Sequence, residues 1–315
     1  MRNAFAEEMV KLGEADPRVV LLSGDIGNKL FDPFKERCPG RFFNCGIAEA
    51  NMMGVAAGMA MSGLRPVVYT ITPFTTTRCF EQIRVDVCYH HAPVIIVGTG
   101  SGLSYAELGP THHSCEDLAI LRTLPGMTVF APCDKVELRL GLAAGLRQDG
   151  PLYMRIGKKG EPVIHKEAPD FALGKMLTVR PGDEICLLVA GTIMAPALEA
   201  AERLAAAGRS VRVESVHTVK PLDEARLAEI FQRCRLVAAI EEHGRIGGLA
   251  GAVAEWAAPR GALARTRFLS FGVEDRFMKD VGSQDYARAQ FGLSAEVMAD
   301  ALAEAWAGNG IRAVG

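Results

Sequence analysis

No two cysteines in this 315-residue sequence form a C-x-x-C pair, and no histidine–cysteine group has zinc-site spacing. The eight cysteines, from Cys38 to Cys234, occur singly, which removes a disulfide scaffold and reads as free thiols in a reducing compartment. No apolar run reaches the roughly 20 residues that a membrane-crossing helix needs. The opening MRNAFAEEMVKLGEADPRVV lacks the apolar centre of a signal peptide. A soluble, cytoplasmic protein without a membrane partner is expected. Basic charge is not clustered either: 35 Lys and Arg face 37 Asp and Glu, a formal net charge of −2, so no nucleic-acid partner is expected. No G-x-G-x-x-G opens a helix after the first strand, which argues against a nicotinamide-dependent dehydrogenase. Low-complexity tracts and repeats of solenoid period are missing as well.

What the chain does have is alternation. Short β-branched runs (RVVLLSGD, RPVVYTI, APVIIVGTG, MTVFAPCD) take turns with alanine-rich amphipathic stretches such as AEANMMGVAAGMAMS and KVELRLGLAAGLRQ. This is the rhythm of an α/β domain with a mainly parallel sheet. It pauses in the polar, proline-bearing stretch Gly157–Glu184 and restarts with ICLLVAGT, SVRVESVHT and RLVAAIEEHG. Two consecutive α/β domains with mainly parallel sheets are expected, covering residues 1–173 and 174–315. A C-terminal amphipathic helix should open at a Ser294 cap, with Met298 and Leu302 facing inward.

Within CGIAEANMMGVAAGMAMSG, Glu49 opens a helix that otherwise holds small and apolar residues. A first-turn glutamate serves elsewhere as a solvated acid that complements the helix dipole. Here Phe43, Ile47, Met52 and Met53 flank it, and apolar surroundings push a carboxyl toward its protonated, hydrogen-bond-donating form. Such a group suits a ligand with a basic ring nitrogen. The small residues Gly54, Ala56, Ala57, Gly58 and Ala60 would let another element approach the helix backbone closely. GDIGN, Gly24–Asn28, follows a strand but lacks the further glycines and the lysine of a phosphate loop.

GIAEANMMGVAAGMAMSGLRPVV resembles the glutamate-bearing segment of the pyrimidine-binding domain in thiamine-diphosphate enzymes of the transketolase branch. RCFEQIRVDVCYHHAPVIIVGTGSGL, LGPTHHSCEDLAILRTLPGMTVFAPCD, GPLYMRIGKKG and FGVEDRFMKDVG agree in order and spacing. The resemblance covers nearly the whole chain and implies a pyrimidine-binding domain followed by a transketolase C-terminal domain. It implies that Glu49 hydrogen-bonds the pyrimidine nitrogen of thiamine diphosphate, supporting the imino tautomer that activates the thiazolium carbon. It further implies that Phe74 stacks on the pyrimidine, in a loop where Arg78 opens on the site and Gln82 follows one turn later. Asp25 would face the cofactor or a subunit interface. His112 would contact substrate with His113 beside it, and Arg155 would bind a substrate phosphate unless it is a surface cation near a strand end. Relatives often carry an acid just before the glycine of GPTHH. Leu108 stands there, with Glu107 one place earlier, which puts an ordinary ketose phosphate in question.

Gly-Asp-Gly, the family's mark of the domain that holds diphosphate and Mg2+, occurs nowhere in the 315 residues. The resemblance therefore implies the C-terminal subunit of a split transketolase. An N-terminal transketolase subunit would bring the diphosphate-binding domain and the magnesium ligands. Self-association through the glycine/alanine face of the Glu49 helix would give an α2β2 assembly. The expected reaction transfers a two-carbon ketol or acyl unit to a sugar or sugar phosphate. A 2-oxo-acid dehydrogenase beta subunit, an enzyme of modified or nucleotide-linked sugars and a catalytically silent assembly subunit are the alternatives.

Overall fold

The computed structural model describes residues 1–27, 29–158 and 160–308. The β-branched runs become strands of two sheets. In the first, β1 (Val19–Ser23), β2 (Phe42–Asn44), β3 (Arg65–Ile71), β4 (Ile95–Thr99), β5 (Thr128–Phe130) and β6 (Leu152–Ile156) are parallel. The second contains β7 (Leu177–Arg180), β8 (Ile185–Ala190) and β9 (Val211–Ser215), with β7 antiparallel at its edge. The chain then returns: β10 (Thr218–Lys220) pairs antiparallel with β5 of the first sheet. β11 (Leu236–Gly244) and β12 (Arg267–Val273) complete the second. The strand orders are β10-β5-β6-β4-β3-β1-β2 and β12-β11-β8-β9-β7.

Parallel strands covered on both faces read as unbroken apolar runs, and all five residues of β1 and all six of β8 are buried. Successive side chains nevertheless part to opposite faces. Val19, Leu21, Val67 and Val97 fill one core, while Val20, Leu22, Val68 and Ile96 fill another. The latter continues without a break into Cys186, Leu188, Val237 and Ala239 of the second sheet, so one apolar layer joins the two. A further core on the outer face of the second sheet receives the C-terminal helix, Ala295–Trp306. Its Ser294 Oγ accepts from the Val297 N–H at 3.4 Å, and Met298 and Leu302 are fully buried, as the sequence led us to expect. No helix among the described residues is long and apolar enough to cross a membrane.

In a parallel sheet, ligands gather beyond the carboxyl ends of the strands. Asp25 follows β1, Glu49 follows β2, Phe74 and Arg78 follow β3, His112 and His113 follow β4, and Lys158 follows β6. Five loops thus open on one edge of the first sheet.

Candidate active site

A tight turn sets the position of Glu49. Asn44 Oδ1, at the end of β2, accepts from the Gly46 N–H at 3.0 Å, and Gly46 takes φ +65°, a conformation in which a side chain would be strained. The glutamate helix, Glu49–Met61, starts three residues later and buries Met52, Met53, Ala56, Ala57 and Ala60. Glu49 itself is 4% exposed. Its setting differs from the expected apolar shell, because Phe43 and Ile47 are exposed and an arginine lies over the carboxylate instead. Arg78 Nη1 donates to Glu49 Oε2 at 2.9 Å. The same guanidinium carbon sits 4.0 Å from the centre of the Phe74 ring, a cation–π contact. Next to Arg78, burial, reinforced by the charge of Glu49, pushes the Cys79 thiol up to about 12.

From Phe74 the cluster runs on to the loop after β4. The His112 ring centre is 5.5 Å from that of Phe74 and 5.8 Å from that of Tyr105, edge to face in both cases. His112 Nδ1 lies 2.9 Å from the Thr111 hydroxyl. Lys158 Nζ stands 4.3 Å over the Tyr105 ring and is ion-paired with Glu107. Leu108 is half exposed at this rim. His113 is half-buried, and burial lowers its pKa below the ordinary 6.5. Asp25 is exposed and accepts from the Asn44 side-chain amide at 2.9 Å, which ties the end of β1 to the turn before Glu49. Gln82 is half-buried in the short helix Phe80–Gln82.

The structure thus brings together Glu49, Arg78, Phe74 and His112, and it sets Arg155 apart from them inside the protein. Arg155 is 2% exposed and commits its fork to the protein. Nε donates to Asp117 Oδ2 at 2.7 Å, and Nη2 donates to the carbonyls of Ser114 at 3.0 Å and Glu242 at 2.8 Å. Tyr153 donates to the same Asp117 oxygen at 2.5 Å. Burial would raise Asp117, but Arg155, helped by His243 and the Tyr153 hydrogen bond, outweighs it and holds the carboxyl below its usual value. It is not the surface cation that the alternative reading expected: it is a buried tie between β6, the loop before Asp117 and β11. Among the described residues, the cations facing the cluster are Arg78 and Lys158. In GPLYMRIGKKG the arginine is the residue the family resemblance points to, yet among the described residues of that motif it is Lys158, two residues beyond the end of β6, that reaches the rim.

The profile of the transketolase pyrimidine-binding domain matches residues 1–161, and that of the transketolase C-terminal domain matches residues 174–299. The chain belongs to the transketolase family. It is 36% identical to a 6-deoxy-6-sulfo-D-fructose transketolase subunit of Clostridium sp. strain MSTE9, over 96% of this chain and 94% of that one. It is 34% identical to one of the subunits of the apulose-4-phosphate transketolase of Actinobacillus succinogenes, over 85% and 86% of the two chains. Among solved structures, a split-gene transketolase described as an inactive beta4 tetramer superposes with a TM-score of 0.88 at 34% identity. That match covers 97% of this chain and 98% of the other. Membership in the transketolase family implies dependence on thiamine diphosphate.

Proposed function

We propose that this transketolase-family protein is the C-terminal subunit of a two-component enzyme that transfers a two-carbon ketol unit between sugars. Its N-terminal partner would supply the diphosphate-binding domain and the ligands for Mg2+. The observation that carries this reading is the convergence of a buried carboxylate, an aromatic ring and a histidine on the loops beyond β2, β3 and β4. The donor set fits an aminopyrimidine: Glu49 is a buried acid for its ring nitrogen, and Phe74 is a flat partner for its face. When bound, thiamine diphosphate supplies the carbon nucleophile that takes up the ketol unit.

The residues of this chain have distinct tasks in that scheme. Glu49 shares a proton with the ring nitrogen through Oε1, because the Arg78 hydrogen bond reaches Oε2. Arg78 supplies the countercharge for the carboxylate and, packed on Phe74, orients that ring. His112, held at Nδ1 by Thr111, presents its other nitrogen for a substrate hydroxyl. Lys158, at the rim, binds an anionic group on the sugar. Related proteins act on a sulfonated or a phosphorylated sugar, which supports an anionic substrate here. His113 and Asp25 line the same edge, with Asp25 near the interface with the partner. Self-association of the chain is supported by the beta4 assembly of its split-gene relative.

Mixing the purified chain with its N-terminal partner, thiamine diphosphate and Mg2+ tests the proposal. Turnover of an anionic ketose is expected from the pair and not from this chain alone. Glu49→Gln should cut kcat by about 10²–10⁴-fold while leaving the association of the two chains intact. Magnesium-dependent cofactor binding at micromolar affinity without any partner, or full activity of Glu49→Gln, would overturn it.

A further inference from the structure

Three side chains that are separated in sequence meet where the loop after β5 touches the strandless stretch between the sheets. Cys133, Glu137 and His165 present a sulfur, a carboxylate oxygen and a ring nitrogen that all lie within 4.8 Å of one another. Asp134 arranges them. Its Oδ1 caps the Lys135–Gly145 helix, accepting from the N–H groups of Val136 and Glu137 at 2.9 Å each. That first turn puts Glu137 back against Cys133, whose N–H donates to Glu137 Oε2 at 2.7 Å. The second oxygen, Asp134 Oδ2, accepts from the N–H groups of Ile164 and His165 at 2.9 and 2.8 Å and lies 3.4 Å from His165 Nδ1. The imidazole is thereby turned so that Nε2 points at Glu137 Oε1, 3.8 Å away.

Packing does not account for what remains. Glu137 is fully buried, and its Oε1, aimed at the middle of the group, makes no hydrogen bond of good geometry, with the Ser215 hydroxyl and the Cys133 thiol as its polar neighbours. A buried acceptor left unmade costs on the order of 1–3 kcal/mol. Cys133 is buried beside it as a free thiol, and Ser215 of β9 faces both from the second sheet. A carboxylate behind the far nitrogen of a histidine is the arrangement that fixes a metal-binding imidazole. We propose that Cys133, Glu137 and His165 form a structural site for one divalent transition ion, zinc by its ligand chemistry, with water at the fourth position. Thiolate, imidazole and carboxylate are zinc ligands at about 2.0–2.3 Å. Side-chain rotation of about 1 Å brings the three atoms to that spacing. Binding sends the thiol proton to solvent together with any proton on His165 Nε2, whose protonated form the Asp134 hydrogen bond favours, so that thiolate, neutral imidazole and carboxylate face the ion. The ion would clasp the inter-sheet stretch to the first sheet. His165, with its ring 11% exposed, is the route of entry.

Cobalt(II) titration of the chelator-treated full chain, free of affinity tags, tests the site. One equivalent should produce a thiolate-to-cobalt charge-transfer band and intense tetrahedral visible absorption, both bleached by zinc. Cys133→Ser should remove the charge-transfer band, and Asp134→Asn should keep the band but weaken cobalt affinity by about 10–100-fold. Circular dichroism checks the fold of each variant, and the wild-type titration stands by itself if a variant does not fold. A wild-type chain that shows no charge-transfer band at one equivalent would leave His165 as a plain ionic bridge between Asp134 and Glu137 and overturn the proposal. A band that survives in folded Cys133→Ser would overturn it too.

Discussion

Glu49 and Arg155 are both charges taken out of water, and their partners decide what each can do. Arg78, over Glu49, is itself 43% exposed, so that pair sits at the edge of solvent and a ligand can reach it. Arg155 and Asp117 are 1% and 0% exposed, a pair sealed from solvent. Breaking such a buried pair from one side typically costs about 3–5 kcal/mol, so Arg155→Met should lose that much in a denaturant melt. The loss should depend on pH. With the arginine present, Asp117 has a folded-state pKa below 3.8, and its stabilisation is full above 3.8 and fades as pH falls through the lower value. Without it, burial is opposed only by His243 and the Tyr153 hydrogen bond, so the folded value rises and the penalty grows as pH climbs past 3.8. The deficit of Arg155→Met should therefore be larger at pH 8 than at pH 4, and the reverse order would remove Asp117 from the explanation. Lys158→Ala should raise KM for an anionic sugar by about 10–100-fold with little change in kcat, as loss of one charged contact implies. An unchanged KM would confine Lys158 to its ion pair with Glu107. Glu49 stood out in the sequence as an acid among small and apolar residues, whereas Phe74 and His112 were singled out only through the family resemblance. Arg78 over the carboxylate, and Asp117 opposite Arg155, were not legible, because 29 and 38 residues of chain separate the partners.

The glutamate helix shows the same limit one level up. Its existence follows from a run of good helix formers after the turn at Gly46. Which side faces inward does not, because residues on every side are apolar or small, and no polar stripe marks the solvent. Met52, Met53, Ala56 and Ala57 turned out to face the core, while Val55, Gly58 and Met61 are left exposed. The expected contact face is thus split: the alanines pack inward, and Gly54 and Gly58 lie on or near the outer side. A helix apolar on both sides has a second surface still to cover. Val55→Asp, on the outer side, should weaken self-association of the chain in sedimentation while leaving its melting temperature within a few degrees. An unaltered association state would place the contact on another element. The cysteines make a parallel case, since Cys133, Glu137 and His165 have no sequence spacing that announces them. The cap at Asp134 and the return of the chain at His165 bring them together, and both are products of folding.

Across the whole molecule, the alternation of strands and helices was enough to foresee two α/β units. It could not foresee how closely they are sewn. The apolar layer between the sheets is continuous. Glu242 of β11 accepts from the Leu103 N–H at 2.7 Å, and the Gly244 N–H donates to the Cys115 carbonyl at 2.7 Å. Three-residue β10 was too short to stand out, and as an edge strand it takes its identity from β5, its partner. Its return has a consequence for the chain as an object that can be cut. Because β10 forms the rim of the first sheet and belongs by sequence to the second half, the halves share a ladder of backbone bonds as well as a core. A protease nick between residues 160 and 174 should therefore produce two fragments that co-elute in gel filtration and melt together, as a complemented pair does. Fragments that separate without denaturant would show that the covalent link, and not the shared strand, holds the halves. Residues 1–173 expressed alone would present β5 as a bare edge, open to pairing with any neighbouring strand, and should aggregate until the missing half is supplied in trans.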